Sequence, residues 1–481
     1  RTGRRAGARA PEKRFLINSC PESYHACLYV QVFICRINNI VVSIICCVIM
    51  MDMNAIKTSG GRVDISPARN SPTASMRVAY ICEPQVGGTF VFFTQLRPQL
   101  ARHGIDFRCI PPFDRSAFRN SRYLQMDGID FLDLPEDPPA ALNRIIRHLE
   151  EQAFGAVLVL PGCNELGTAL PAYLPAHIGC VAKIPHNGRG TYLPTREMEP
   201  FIDRIAPVND LLAEDLSLRY GVPASKIQVI HIGIDPDHFQ YAERTPLESP
   251  SHPLRLIFVG RINDLEKNTH LLPDMVGKVI QRGVNVTCTV LGDGEDRPEL
   301  ERRIHKLGLV DRFSLPGAVP YSEIPALLQQ SDVFVMPSRF EGCPHALLEA
   351  MATGCVPVVS RLRGTLDRIV EEGQTGLMAS VGRAGEFAEA IVQLAHDPNA
   401  RHRMGLQARK TILDRFALAG MAEAYAAILT DAAHHPASSP PPRRLATYTP
   451  PRSMGPSWRR WIPMPVKKMV RTLYGRMGRS I

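Results

Sequence analysis

The chain has 481 residues, 45% of them hydrophobic and 21% charged, with a formal net charge of +9. That length supports two to three domains with their own cores, and the composition is that of a globular protein rather than a disordered or fibrous one. The charge is uneven: residues 1–75 carry +6, residues 436–481 carry +10 and the body between them carries −7, which argues against nucleic acid as the main ligand of the body.

Residues 1–75 read as an unstructured or spurious upstream extension, with Met51, Met53 and Met76 as candidate starts. A membrane anchor at 26–51 is the alternative. There the charge-free run 37–51 has 15 residues, short of the ~20 that a spanning helix needs. Of twelve cysteines, five fall in the first fifty residues and seven are scattered without zinc spacing. They read as free thiols in a reducing, cytoplasmic compartment.

From Met76 short apolar runs alternate with amphipathic segments. Strands are expected at 77–82, 105–110, 156–160, 180–184, 204–208 and 228–230, with helices at 90–103, 139–152 and 210–220. A polar, proline-containing joint at 241–253 (YAERTPLESPSHP) separates this series from a second. The second has strands at 254–259, 284–291, 332–336 and 356–360, and helices at 295–307, 321–330 and 344–353. Such alternation predicts two parallel sheets covered on both faces. Residues 436–456 are Pro-rich and read as a linker. Beyond it, Val466, Met469, Val470, Leu473, Tyr474 and Met477 form one apolar helix stripe among basic residues, preceded by Trp458 and Trp461. A basic amphipathic helix of this kind suits peripheral contact of 457–481 with an anionic membrane, at the inner face of the membrane.

Ligands of open α/β sheets bind beyond the carboxyl ends of strands, and the informative motifs fall there. Gly260-Arg261 ends one expected strand, and Lys267 follows. An Arg fork and a Lys point charge suit a diphosphate, although in isolation they also read as surface charge. After the strand at 332–336 comes SRFEGCPHALLEAMA (338–352). Gly342 permits close backbone approach and Pro344 suits a first helical turn, whose N–H groups and positive dipole end favour an anion. Glu341 stands before that helix and Glu349 within it, two carboxylates able to address one ligand; Leu347, Leu348 and Met351 read as core.

These residues carry a resemblance. The segments FVGR (258–261) with Lys267, VLGDGED (290–296), 315–360 and EEGQTGLM (371–378) resemble the family-four retaining glycosyltransferases of GT-B fold, over roughly 76–430. The resemblance implies an α/β fold of two Rossmann-like α/β/α domains facing a cleft, an acceptor-side domain at 76–240 and a nucleotide-sugar donor domain at 254–435. It implies that Arg261 and Lys267 bind the donor diphosphate, that Glu341 contacts the transferred sugar and that Glu349 binds the ribose. Backbone groups of Gly260, Gly342, Cys343, Pro344, His345, Ala346 and Leu347 would help hold sugar and phosphate, and Gly317 and Val319, in the stretch 316–319, would line the base pocket. Gly87 and Gly88 match the family's glycine loop, His186 a histidine near the sugar, and 229–239 the segment ending the first domain. The last long helix, around 408–429, would cross back onto that domain.

Cys343 and His345 depart from the family's usual apolar residues, and 360–367 has one glycine where two are frequent. No metal or cofactor is expected: the donor is a UDP-, GDP- or ADP-sugar, the partner a glycan or lipid-linked acceptor, and nucleic acid is not a partner. Asp235-Pro236-Asp237 imitates a metal-binding Asp-x-Asp but falls at a domain end, and the Gly292-Asp293-Gly294 run lacks the rest of a dinucleotide fingerprint. The expected activity is retaining hexosyl transfer; the alternatives are a nucleotide-sugar epimerase or a catalytically degenerate membrane-recruited module.

Overall fold

The computed structural model describes residues 29–37, 40–48, 75–84, 88–119, 121, 123–186, 189–243, 252–342, 344–434 and 440–454. Within the N-terminal extension, β1 (Tyr29–Ile37) and β2 (Ile40–Val48) pair antiparallel. They belong to a compact unit of their own, Arg1–Ser71.

The first lobe of the body opens with β3 (Met76–Ile81), α1 (Gly88–Arg102) and β4 (Ile105–Ile110), followed by α2 (Pro138–Glu151), β5 (Phe154–Val159) and α3 (Glu165–Ala169). It continues through β6 (Gly179–Ile184), α4 (Arg189–Met198), β7 (Arg204–Pro207) and α5 (Asp210–Glu214). The sheet order is β4-β3-β5-β6-β7, all parallel. β5 and β6 are almost wholly buried because helices cover both faces, which is why their sequences show no alternation. Asp137 starts α2 by accepting the N–H of Ala140, with Pro138 in the first turn. The helix expected at 210–220 is shorter, running into one π turn at Asp215–Arg219. The run at 228–230 is not a strand; it adds only backbone bonds alongside β7, from Gln228 N to Ile205 O and from Ile230 N to Pro207 O.

The second lobe begins with β8 (Leu254–Val259), the one-turn α6 (Asp264–Lys267), α7 (Leu271–Gln281) and β9 (Val286–Leu291). It proceeds through α8 (Arg297–Lys306), β10 (Phe313–Gly317), α9 (Ile324–Gln329), β11 (Val333–Met336), α10 (His345–Ala352), β12 (Val356–Ser360) and β13 (Leu377–Ala379). Its sheet is parallel in the order β10-β9-β8-β11-β12-β13. β10 and β13 escape sequence reading because they are short edge strands, β10 only partly buried and β13 of three residues.

Three helices close the fold: α11 (Ala384–His396), α12 (Pro398–Arg415) and α13 (Leu418–His434). The long helix expected around 408–429 is two helices. Ile234 N donates to Phe416 O at 2.8 Å and Leu418 N to Ile234 O at 2.9 Å, so the chain is held extended between them. α12 packs on α10 in the second lobe, whereas α13 packs on α1, β5 and β6 of the first. The rings of Phe92 and Tyr425 meet edge-on at 5.2 Å in that contact.

The Pro-rich stretch expected to be a linker is, over its described part, a strap on the first lobe. Arg443 N donates to Ala172 O at 2.8 Å, Tyr448 OH to Glu165 Oε1 at 2.7 Å, and Arg452 N to Glu197 Oε1 at 2.8 Å. Proline-rich composition marks an absence of helix or ladder, not an absence of contacts. The tail at 457–481 lies outside the described residues.

Candidate functional site

Three neighbouring strands of the second lobe end on glycines. Gly260 N donates to Leu291 O and Gly292 N to Gly317 O, each at 2.9 Å, so the strand ends are stitched side by side. Gly292 has φ 131°, and a Cβ there would lie 2.0 Å from Gly260 O. Glycine is therefore required, and the floor beyond β8 is bare backbone. Arg261 rises from this floor, exposed; its carbonyl accepts from Asn263 N at 3.0 Å, and its guanidinium makes no hydrogen bond or ion pair to another described residue. Gly317 lies beside Arg297 and Val319 is half-buried next to it.

Lys267 is aimed by the ends of its one-turn helix. Asn263 caps α6 by accepting the N–H of Glu266 at 3.0 Å; Asn268 ends it in the left-handed region, φ 52°, and donates to Pro337 O at 3.1 Å. The Lys267 ammonium consequently sits 2.7 Å from Glu341 Oε1, which also accepts from Ser338 Oγ at 2.6 Å. Glu341 is only 9% exposed, so this carboxylate is held by a cation and a hydroxyl rather than by water.

Glu341 lies outside α10, in the loop before it. The next residue, Gly342, rests on the first lobe: its carbonyl accepts from Asn209 Nδ2 at 2.7 Å, and a Cβ on it would stand 3.0 Å from Pro185 O. Asn209 simultaneously caps α5 through its other amide atom, accepting from Leu212 N at 2.9 Å. His186, at the end of β6, lies 3.4 Å from Thr191 Oγ1. The residue keeps solvent access, yet its imidazole is held below the ordinary range, first by desolvation and then by the Lys183 ammonium.

Pro344 precedes α10, and the first-turn N–H groups at His345 and Ala346 lie at the positive end of the helix dipole. The half-buried His345 lies beside Gly88, with Nε2 3.7 Å from where a Gly88 Cβ would be, and its buried Nδ1 has no hydrogen-bond partner among the described residues. Burial, and secondarily Lys183, pushes this imidazole down to about 4, so it is neutral at pH 7. Leu347 and Leu348 point into the core; any contribution from them to a ligand is confined to backbone.

Glu349 is 4% exposed on α10. Desolvation raises its carboxyl to about 7, partly opposed by Tyr321, whose hydroxyl donates to Oε1 at 3.1 Å. Gln95 Nε2, from α1 of the other lobe, donates to the same hydroxyl at 2.9 Å. Gly87 and Cys343 lie outside the described residues. Asp235 Oδ1 accepts the N–H groups of Asp237 and His238, so the Asp-Pro-Asp triplet is the cap of a turn.

Residues 240–411 match the family of glycosyl transferases group 1. Among curated relatives, the alpha-D-kanosaminyltransferase of Streptomyces kanamyceticus is 30% identical over 36% of this chain and 44% of its own length. The amylovoran biosynthesis glycosyltransferase AmsK of Erwinia amylovora is 31% identical over 40% and 47%. The chain thus spans about half the length of the curated relatives it matches. Among solved structures, a glycosyltransferase from Rickettsia africae aligns with 75% of this chain and all of its own, at 15% identity and a TM-score of 0.63. HepE from Anabaena in complex with UDP aligns with 74% and 100%, at 16% identity and a TM-score of 0.61. The fold is GT-B.

In this GT-B chain several of the residues singled out from sequence meet at the interlobe seam. Gly342, the residue after the Lys267–Glu341 pair, rests against His186 there, and His345 meets Gly88. Ser338, Asn209, Tyr321 and Gln95 escape sequence reading. Ser338 had a signal, since it falls three residues before Glu341 at a strand end. Asn209 and Gln95 had none, because their partners lie 133 and 226 residues away.

Proposed function

We propose that the chain is a glycosyltransferase that moves a hexosyl group from a UDP-, GDP- or ADP-sugar to an acceptor hydroxyl, with retention of anomeric configuration and without a metal. The observation that carries this reading is the 2.7 Å contact of Lys267 with the buried Glu341 carboxylate, between a capped one-turn helix and the loop before α10. The match of residues 240–411 to glycosyl transferases group 1 supports it.

In this mechanism the bond between the sugar and the diphosphate breaks and negative charge grows on the leaving phosphate. Arg261 meets that charge with a planar donor fork. Lys267 spends one of its N–H donors on Glu341 and has two left for the phosphate. The N–H groups opening α10 add a fixed positive potential that needs no reorganisation during the reaction. Glu341 orients the sugar, and Glu349 takes the ribose. The acceptor hydroxyl attacks from the face that the phosphate leaves, and the phosphate accepts its proton. His186 and Gly88 line the acceptor side.

The acceptor proposed is a glycan or lipid-linked saccharide, by analogy with AmsK, whose name places it in amylovoran biosynthesis. Contact of 457–481 with the inner face of a membrane belongs to the same proposal. No described helix is long and apolar enough to cross a membrane.

The test is a thermal-shift series on the full chain with UDP, GDP and ADP, followed by transfer assays with sugar conjugates of the binder. A ligand at 100 times Kd stabilises by about 2.7 kcal/mol. A shift with one base, then acceptor-dependent release of that diphosphate with the anomeric configuration kept, supports the proposal. Release without any acceptor, or no shift with any of the three, sinks it.

A further inference from the structure

Three residues from both lobes form one hydrogen-bonded line ending on a buried carboxylate. Gln95 Nε2, on α1, donates to Tyr321 OH at 2.9 Å, and Tyr321 OH donates to Glu349 Oε1 at 3.1 Å. The phenol ring is clamped by residues that end the first series: His238 stacks on it at 5.3 Å with 18° between planes, and Phe239 meets it edge-on at 5.7 Å. Arg409 fixes that segment to the second lobe by donating to both Phe239 O at 2.6 Å and Ala352 O at 2.7 Å. Tyr321 keeps 36% of its surface exposed, yet its ring is packed by His238 and Phe239 and its hydroxyl is held by two hydrogen bonds. Glu349 Oε1 is occupied, whereas Oε2 makes no hydrogen bond to a described residue.

We propose that Tyr321 is a positioning residue for the donor nucleoside: it occupies Oε1 of Glu349 so that Oε2 alone faces the ribose, and Gln95 ties that arrangement to the acceptor-side lobe. The proposal rests on the donor-site reading given above and deepens it. A ribose hydroxyl that donates to Oε2 favours the ionised carboxylate, which is also the better acceptor for Tyr321. A phenol donating more strongly becomes a better acceptor for Gln95 in turn. Nucleoside binding in one lobe thus strengthens a contact reaching into the other, and the reverse holds by linkage.

The titratable groups facing this line are few. Tyr321 is itself pushed well above its ordinary range, by burial first and the Glu349 charge second, with Asp235 adding to the effect. His238 is the stacked neighbour. For Glu349, desolvation raises the carboxyl and the Tyr321 hydrogen bond lowers it. Removing the phenolic hydroxyl takes away the lowering influence, so a larger fraction of Glu349 is neutral at pH 7.

The experiment is calorimetric titration of the full-length chain with UDP, GDP and ADP from pH 6 to 9, for wild type, Y321F, Q95A and the double variant. For whichever diphosphate binds wild type, Y321F is expected to bind about tenfold more weakly at pH 7, the worth of one hydrogen bond to a charged group. The deficit should narrow toward pH 9, because alkaline conditions restore the ionised carboxylate. Comparing variant with wild type at each pH cancels titration of the phosphates. Q95A should weaken binding severalfold in the wild-type background and not at all in Y321F, since Gln95 acts only through the hydroxyl. Binding by wild type with unchanged affinity and pH profile in Y321F overturns this proposal and leaves the donor site standing. Equal effects of Q95A in both backgrounds overturn the interlobe part. Failure of wild type to bind any of the three removes the donor-site reading, and the proposal with it.

Discussion

Lys267 and Glu341 are 74 residues apart in sequence and 2.7 Å apart in space, and Glu341 keeps only 6% of its side-chain surface. Each explains the other's position: the ammonium supplies the charge that a buried carboxylate requires, and the carboxylate fixes an ammonium on a helix of one turn. Removing Lys267 alone leaves a buried charge without its partner, which costs roughly 3–5 kcal/mol for a fully buried pair. Lys267 retains 23% of its surface, so the expected loss for Lys267→Met is nearer the lower figure or below it. Urea unfolding measures this, and a midpoint equal to that of wild type would mean that the pair is not energetically coupled.

Glu341→Ala separates chemistry from stability. It removes the charge together with the need to pair it, so the fold should survive while transfer falls by about 10²–10³, the usual worth of one preorganised electrostatic contact. Rates with the sugar conjugate of the binding nucleotide, alongside far-UV circular dichroism, decide it. A folded variant turning over at the wild-type rate would remove Glu341 from the reaction.

Glu349 makes stability depend on pH with a definite sign. Its folded-state carboxyl is raised to about 7, above the ordinary 4.5, by burial. Between those values the folded protein holds a proton that the unfolded chain has released, so this group's contribution falls as pH rises from about 4.5 to 7 and is level above that. Glu349→Gln abolishes the loss. The variant should match wild type near pH 4.5 and exceed it at pH 8 by on the order of 3 kcal/mol. Denaturant midpoints at pH 5 and pH 8 check this; a variant less stable than wild type at pH 8 would contradict the burial argument.

Gly342 is where the loop of one lobe touches the other. A Cβ there stands 3.0 Å from Pro185 O and 3.3 Å from His186 Cα, and both are backbone atoms that yield little. Gly342→Ala is therefore expected to part the lobes at this seam, raising the radius of gyration in solution scattering and lowering transfer while each lobe stays folded. An unchanged scattering profile with full activity would show that the seam has slack.

The strap at 440–454 makes the first lobe depend on residues far beyond it. Glu197 accepts the N–H groups of Arg452 and Ser453, each at 2.8 Å, and the Ser453 hydroxyl at 2.6 Å. These bonds hold its carboxyl below the ordinary range against the opposing effect of burial. Glu197→Ala should cost about 1–2 kcal/mol and raise amide exchange along α4 and 452–454. Protection unchanged at both places would show that the strap is held without Glu197.

Local rules determined much of this protein. The alternation of apolar runs with amphipathic segments announced two parallel sheets, because strands buried on both faces must be apolar throughout. Gly260-Arg261, Lys267 and the Glu341–Glu349 stretch were legible because strand ends followed by glycines and a helix start are where such sheets bind ligands. Tertiary structure alone decided what those side chains touch. Nothing near Gln95 announces Tyr321, nothing near Asn209 announces Gly342, and the prolines of 440–454 signal a linker until their backbone groups are found bonded to the first lobe. A break in the last long helix was likewise invisible, since the backbone at 416–418 is bonded to Ile234, far away in sequence. Periodicity reports which face of an element is buried, but the partner is chosen by how the two lobes meet, and that geometry is a property of the whole chain.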